Sequence, residues 1–287
     1  MRKAYGFPAD DFFDLREGLQ DLPCRKGEAF PHSLGGRAAN TVMEIANRRI
    51  LVTGASRGLG RTLAFAFAAA GAREVLAGAR QPADIHKLAS DAAAIGAPLV
   101  PIKLDVRSEE DISAAAKLGP VDILINNAGV AGYGNPVQMN FEDAVREMTV
   151  NYFGALRMAR AMAPAMIERG EGMIVNVATA FARVNLPLVG TYCASKAALL
   201  SLGQALRAYL ADNGVHVMTV MPTTFDSDMS RGADVPKMTK EFVAGEILRH
   251  IREETIDPPI GEEAERVLES LKTDPAGLEK MLSQIRA

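Results

Sequence analysis

The stretch GTYCASKAAL, residues 190–199, carries a phenol and an ammonium four residues apart, Tyr192 and Lys196, at the head of an apolar run. Four residues is little more than one helical turn, so in a helix the two side chains share a face. The chemistry open to such a pair is proton transfer. A free phenol titrates near pH ~10, too high for efficient base work at neutral pH, and a neighbouring ammonium favours the phenolate. Lys196 is placed to be that cation. Standing alone, the same spacing is as readily the wet edge of an ordinary helix, so the surrounding elements must decide. Cys193 invites a nucleophile reading, but no histidine lies near it in sequence, and core packing is the better expectation.

Those elements become legible near residue 48. RRILVTG reads as a short apolar strand, and RTLAFAFAAAG as a helix closed by Gly71. EVLAGA, APLVPIKLD, VDILINN, GMIVNVAT and VHVMTVMP are further strand candidates, with a helix, EEDISAAAK, before VDILINN. A long helix over residues 141–170 must tolerate or bend at Pro164. Apolar strands alternating with helices predict an α/β fold: a doubly wound parallel sheet, helices on both faces, in a single domain over residues 43–287. Residues 1–42 mix charges of both signs with Pro8, Pro23 and Pro31; this extension is expected to be disordered, or to precede a true start at Met43. Between the first strand and first helix lies TGASRGLG, residues 53–60. Its glycines permit a tight turn, and the helix N-terminus beyond offers unpaired N–H groups to a pyrophosphate.

The order T-G-x-x-x-G-x-G, then NNAG at residues 126–129, then YCASK resembles the short-chain dehydrogenase/reductase (SDR) family over roughly residues 48 to 230. The resemblance implies a Rossmann-type fold and hydride transfer between a nicotinamide cofactor and a carbonyl/secondary alcohol pair, with Tyr192 as general acid/base. By that likeness Gly54, Gly58 and Gly60 line the pyrophosphate, with Ser56, Arg57 and Leu59 of the same loop in the cofactor site. Asp105 holds the adenine with Val106 beside it, and Asn127, Ala128 and Gly129 flank the adenosine ribose and steady the central strand. Lys196 hydrogen-bonds the nicotinamide ribose, and Tyr192 and Pro222 also belong to the cofactor set. Thr179 stands where the family usually has the serine that holds the substrate oxygen; it keeps the hydroxyl but adds a methyl and restricts χ1. Asn151 in TVNYFGAL matches the helix asparagine that holds a water in the proton relay toward the lysine. Asparagine is otherwise poorly favoured within a helix. Ser195 is not at the serine position and is given no role.

The cofactor preference has its own physical argument. NAD-binding sheets often end the second strand in a carboxylate that takes the ribose 2′-hydroxyl. Here that strand ends Gly78, Ala79, Arg80 with no carboxylate, and Arg57 in the glycine loop can approach the same ribose. Two guanidiniums suit a 2′-phosphate, so NADP(H) is favoured over NAD(H). Two places depart from the family. After Pro222 the usual glycine is Thr223, which predicts an altered turn, because threonine takes φ > 0 only at a cost. The C-terminal segment 261–287 lacks the glycine-rich final strand of many members and reads as two amphipathic helices, with Ala264, Val267, Leu268 and Leu271, then Leu278, Met281, Leu282 and Ile285, at helical spacing. These stripes are expected to pack on the chain's own core. Residues 225–242 are expected to border the cleft and include a mobile lid.

Totals exclude other classes. A net charge of −3 gives no electrostatic case for nucleic acid. Two cysteines, Cys24 and Cys193, support neither a disulfide framework nor a multi-cysteine metal site, and the four histidines have no ligand spacing, so no metal is expected. No apolar run reaches the ~18 residues of a membrane span. With no signal segment the default location is the cytoplasm. The expected partner is a small carbonyl or alcohol; a homodimer or homotetramer is expected from the family's habit. Two alternatives stay open: a catalytically silent NADP-binding sensor or scaffold, and an SDR-type epimerase or dehydratase.

Overall fold

A computed structural model describes residues 43–230 and 235–285. The expectations for residues 1–42, Cys24 among them, and for residues 231–234 of the lid segment fall outside the described residues. Seven strands form one sheet: β1 (Arg49–Val52), β2 (Glu74–Ala79), β3 (Leu99–Lys103), β4 (Ile123–Asn126), β5 (Gly172–Val177), β6 (Val215–Pro222) and β7 (Pro259–Ile260). Their order is β3-β2-β1-β4-β5-β6-β7 and every pairing is parallel.

The central strands are largely apolar because both faces are covered. Ile50, Val52, Ile123, Ile125, Met173 and Val175 enter one layer, with Leu63 and Phe67 of α1 (Gly58–Ala69), Leu88 of α2 (Pro82–Ala94) and Ile247 of α7 (Lys240–Glu253). The alternate residues Leu51, Leu124 and Ile174 enter the other. They meet Ile112 of α3 (Glu109–Lys117), Met158, Met162 and Met166 of α5 (Ala155–Arg169), and Leu210 at the end of α6 (Gly190–Leu210). A one-residue slip in any of these strands would exchange its two layers. Since β1 pairs with β2 on one side and β4 on the other, the chain changes its direction of winding there. The helices that follow β1 and β4 go to opposite faces of the sheet, and a switch of this kind is where open α/β sheets take their ligands.

Most of the expected elements are present, with four differences. The long helix is interrupted: α4 (Phe141–Glu147) runs into a π-helical segment, Met148–Gly154, before α5. Pro164 does lie within α5, on its exposed side, where the carbonyl it frees from hydrogen bonding meets water. Two helices, α2 and α7, stand beyond those expected from the sequence; α2 has Pro82 in its first turn, and the Thr239 hydroxyl caps α7 at Phe242 N. A final strand does exist, the two residues of β7, followed by Gly261 at φ +86°.

The C-terminal stripes form α8 (Glu262–Thr273) and α9 (Pro275–Leu282). Ala264, Val267, Leu278 and Leu282 are buried against Ala180 and Val184, in the segment that follows β5. Met281 and Ile285 stay exposed. Among the described residues no helix is long and apolar enough to cross a membrane, and no group of three or more His, Cys, Asp or Glu could hold a metal ion.

Candidate active site

The glycine loop closes the C-terminal end of β1 through one threonine. Thr53 Oγ1 accepts the backbone N–H groups of Asn127 and Ala128, both at 3.0 Å, and donates to Ile125 O at 3.2 Å. Asn127 Nδ2 answers by donating to Thr53 O at 2.9 Å, so the loops after β1 and β4 are stitched together. Gly54 has φ +66°, and a Cβ there would lie 2.9 Å from Ala128 Cα. A Cβ on Gly60 would overlap Gly54 O and Asn127 Nδ2. At Gly58, φ +54°, no atom lies within 4 Å of that position, which leaves open space over the start of α1. Arg57 at the N-cap makes no side-chain cap, so the first N–H groups of α1 face that space without helical partners. Leu59 is buried in the core and can offer a ligand only its backbone, whereas Ser56 is half-buried in the loop. These residues fit a dinucleotide pyrophosphate: the cradle is open where a phosphate would lie, and closed where the two loops meet.

The outer cofactor residues are already engaged. Both carboxylate oxygens of Asp105 are held by the Arg107 guanidinium, at 3.0 Å and 2.7 Å, which keeps the carboxyl below its usual range. An adenine amine would share Asp105 with that arginine. Val106 is buried, its Cγ2 only 2.7 Å from where a Cβ on Gly154 would sit, so the π segment packs directly on it. Arg80 is exposed just past β2. Arg57 Nε lies 3.2 Å from Asp228 Oδ2, in the segment after β6.

Tyr192 and Lys196 both lie in the first two turns of α6, on one face as the spacing predicts. Lys196 is 4% exposed; its Nζ donates to Val177 O at 2.7 Å and lies 5.8 Å from the centroid of the Tyr192 ring. Burial lowers its ammonium to about 8. Burial also pushes the half-buried Tyr192 phenol well above its usual range, and Cys193, Tyr133 and Glu147 push the same way. The expected lowering of the phenol by Lys196 is therefore not the dominant effect here: loss of water outweighs a cation whose nearest hydrogen-bond partner is a carbonyl. Cys193 is buried as a packing residue, and burial raises its thiol.

Thr179 ends the sequence that leaves β5 and caps the short turn Ala180–Ala182, its Oγ1 accepting Phe181 N–H at 3.3 Å. That turn packs against α6. The threonine is 5% exposed, and its own hydroxyl hydrogen is left to donate elsewhere. Asn151 sits within the π segment, 1% exposed. Its amide clamps Val130 on both sides, accepting Val130 N–H and donating to Val130 O, each at 2.9 Å, and donates to Ser195 Oγ at 2.8 Å. Ser195 Oγ in turn donates to Tyr192 O at 2.7 Å. A Cβ on Gly129 would lie 3.4 Å from both Asn151 Oδ1 and Lys196 Nζ, so both groups border this glycine.

Pro222 ends β6, and the Thr223 that follows it is not among the residues with positive φ. The backbone there keeps clear of the conformation that threonine takes only at a cost, as expected where a glycine is replaced. Sequence reasoning passed over four contributors: Thr53, Ser195, Glu147 and Tyr133. Ser195 lies inside the Tyr–Lys motif, three residues from the tyrosine, which was a signal in plain view; the others have partners fifteen or more residues away. Tyr133, in the loop after β4, donates its hydroxyl to Met229 O across the cleft.

Residues 48–236 match the family profile described as short chain dehydrogenase. Among characterised relatives, the bovine dehydrogenase/reductase SDR family member 7B is 34% identical over 200 residues, a match spanning 66% of this chain and 61% of that protein's length. A galactitol 2-dehydrogenase of Agrobacterium fabrum is 35% identical over 192 residues, 65% of this chain and 73% of the relative. Among solved structures, a short chain dehydrogenase of Burkholderia cenocepacia in complex with NADP superposes with a TM-score of 0.78 at 36% identity, covering 84% of this chain and 99% of the other. A gluconate 5-dehydrogenase of the same organism, in complex with NADP and tartrate, gives 0.69 at 25% identity, covering 75% and 92%. With the profile running through every motif from the glycine loop to Pro222, the chain belongs to the short-chain dehydrogenase/reductase family.

Proposed function

We propose that this protein is an oxidoreductase interconverting a small carbonyl compound and its secondary alcohol, with NADP(H) as hydride carrier. The observation that carries the reading is the Tyr192–Lys196 pair on one face of α6, with Asn151 and Lys196 both bordering Gly129. When bound, the nicotinamide dinucleotide supplies or accepts the hydride; the first N–H groups of α1, Asn127 and Lys196 would hold it.

The protein's own part is the proton. Tyr192 donates its phenolic hydrogen to the substrate oxygen in reduction and takes it back in oxidation. Its raised titration keeps it in the donor form, which suits reduction. The Thr179 hydroxyl, its oxygen already accepting Phe181 N–H, gives its hydrogen to the same substrate oxygen and stabilises charge developing there. Lys196, titrating near 8, restores the tyrosine's proton, and the Asn151–Ser195 bond fixes the turn that carries the tyrosine.

NADP is preferred because the end of β2 offers no carboxylate to a ribose hydroxyl, while Arg57 and Arg80 are both exposed nearby. The similarity to proteins named for galactitol and gluconate makes polyols and sugar acids the first compounds to assay. Phe141, Val145 and Phe153, exposed along α4 and the π segment, supply an apolar face for a homo-oligomer. Titration with both dinucleotides tests the cofactor assignment. NADPH is expected to bind at least ~10-fold more tightly than NADH, a difference of about 1.4 kcal/mol. Equal affinities would remove the NADP preference, and no binding of either would remove the whole reading.

A further inference from the structure

The short turn after β6 reaches back over the sheet. β6 stands three strands from β1, an offset of about 14 Å at ~4.8 Å per strand. Yet Asp228 Oδ2 lies 3.2 Å from Nε of Arg57, in the glycine loop after β1. The next residue, Met229, accepts the Tyr133 hydroxyl through its backbone oxygen, and Tyr133 belongs to the loop after β4. Residues 228 and 229 therefore lie across the C-terminal ends of β4 and β5, fastened to both loops that would hold a dinucleotide.

The turn that carries them is closed by its own hydrogen bonds. Ser230 Oγ donates to Phe225 O at 2.7 Å and accepts Ser227 N–H at 3.1 Å. Ser230 N–H returns to Ser227 O at 3.1 Å. At its base, Asp226 N–H donates to Met238 O at 2.9 Å, and Met238 N–H to Thr224 O at 3.2 Å. Asp228 is thus presented to Arg57 from an ordered turn rather than from a loose arm.

Arg57 is one of the two guanidiniums proposed to meet a ribose 2′-phosphate, and its Nε already faces this carboxylate. A dianionic phosphate arriving on the same guanidinium must displace the carboxylate or bear its repulsion. A dinucleotide without the 2′-phosphate makes no such demand. We propose that Asp228 is a specificity-determining residue of the cofactor site: its carboxylate competes with the 2′-phosphate for Arg57 and so narrows the preference for NADP(H) over NAD(H). This rests on the reading of Arg57 as a 2′-phosphate ligand. The Arg57 and Asp228 side chains are 75% and 44% exposed, so water screens the pair and the effect is a few-fold one.

The test is the ratio of dissociation constants, NADH over NADPH, from fluorescence titration of the full chain. Asp228→Asn removes the charge, and the ratio is expected to rise about 3-fold, mainly through tighter NADPH binding. Asp228→Ser, also neutral, is expected to move it the same way. Arg57→Ala is expected to lower the ratio, and adding Asp228→Asn to that variant to leave it there, because the carboxylate then has nothing to compete for. A ratio unmoved or lowered by both neutral Asp228 variants overturns the proposal, as does an equal rise in the absence of Arg57. An Arg57→Ala ratio equal to wild type removes the underlying reading of Arg57, and the proposal with it.

Discussion

Lys196 is 4% exposed, and burial lowers its ammonium to about 8 from an open-chain value of 10.5. Below pH ~8 both folded and unfolded chains hold that proton, and the folded state bears the full cost of the buried charge. Between pH ~8 and ~10.5 the unfolded chain binds more protons than the folded one, so this residue's contribution to stability rises with pH. The interval corresponds to a cost on the order of 3 kcal/mol at neutral pH. Lys196→Met is therefore expected to raise the melting temperature at pH 7 while abolishing turnover, and thermal melts from pH 7 to 10 should show that the variant lacks the wild-type rise. A variant less stable than wild type at pH 7 would contradict this. The motif positions were legible as residue types, because Tyr192 and Lys196 are local to one helix. Glu147 and Thr53 were not: each earns its place through a partner fifteen or more residues away, which a window on the sequence does not join.

Among the elements, β5 illustrates how polar residues survive inside a covered sheet. Asn126 on β4, Asn176 on β5 and Thr219 on β6 lie side by side in register, all buried. Asn126 Nδ2 donates to Asn176 Oδ1 at 2.9 Å, and the Asn176 amide nitrogen and Thr219 hydroxyl find no partner among the described residues. Asn176→Ala would strand the Asn126 amide as well, so urea unfolding is expected to report a loss of about 1–3 kcal/mol. A change below ~0.5 kcal/mol would mean that the rung contributes little. The strands were legible because their apolar runs are short and bounded by turn residues. The π segment was not, since a period of 3.6 is assumed when a helix is read from sequence, and nothing in MTVNYFG announces the extra residue per turn. The helix α7 carries a legible stripe, Val243, Ala244, Ile247 and Ile251, whereas α2 buries only Leu88 and Ala92, too few to show a period.

At the scale of the whole molecule, the C-terminal helices act on the site from behind. Their buried residues sit on Ala180 and Val184, just past Thr179, so the hydroxyl proposed to hold the substrate oxygen is backed by the C-terminal helices. The stripe itself was readable from its spacing, but its target was not. On α4 and the π segment Phe141, Val145 and Phe153 are exposed, Val145 at 48%, and exposed apolar side chains of this size suit a subunit contact. Val145→Glu is expected to turn a dimer or tetramer into a monomer by light scattering. An unchanged mass would place any subunit contact elsewhere, and a monomeric wild type would remove the oligomer altogether.

The central claim is that Tyr192 moves the proton in a carbonyl reduction that uses NADPH. The most direct test measures NADPH binding and NADPH oxidation across a carbonyl panel, for wild type and Tyr192→Phe side by side. The account predicts turnover by wild type on at least one compound, a loss of ~10³-fold or more in the phenylalanine variant, and NADPH affinity changed less than ~3-fold. Turnover that persists in the variant, or tight binding without turnover by wild type on any carbonyl, would contradict it.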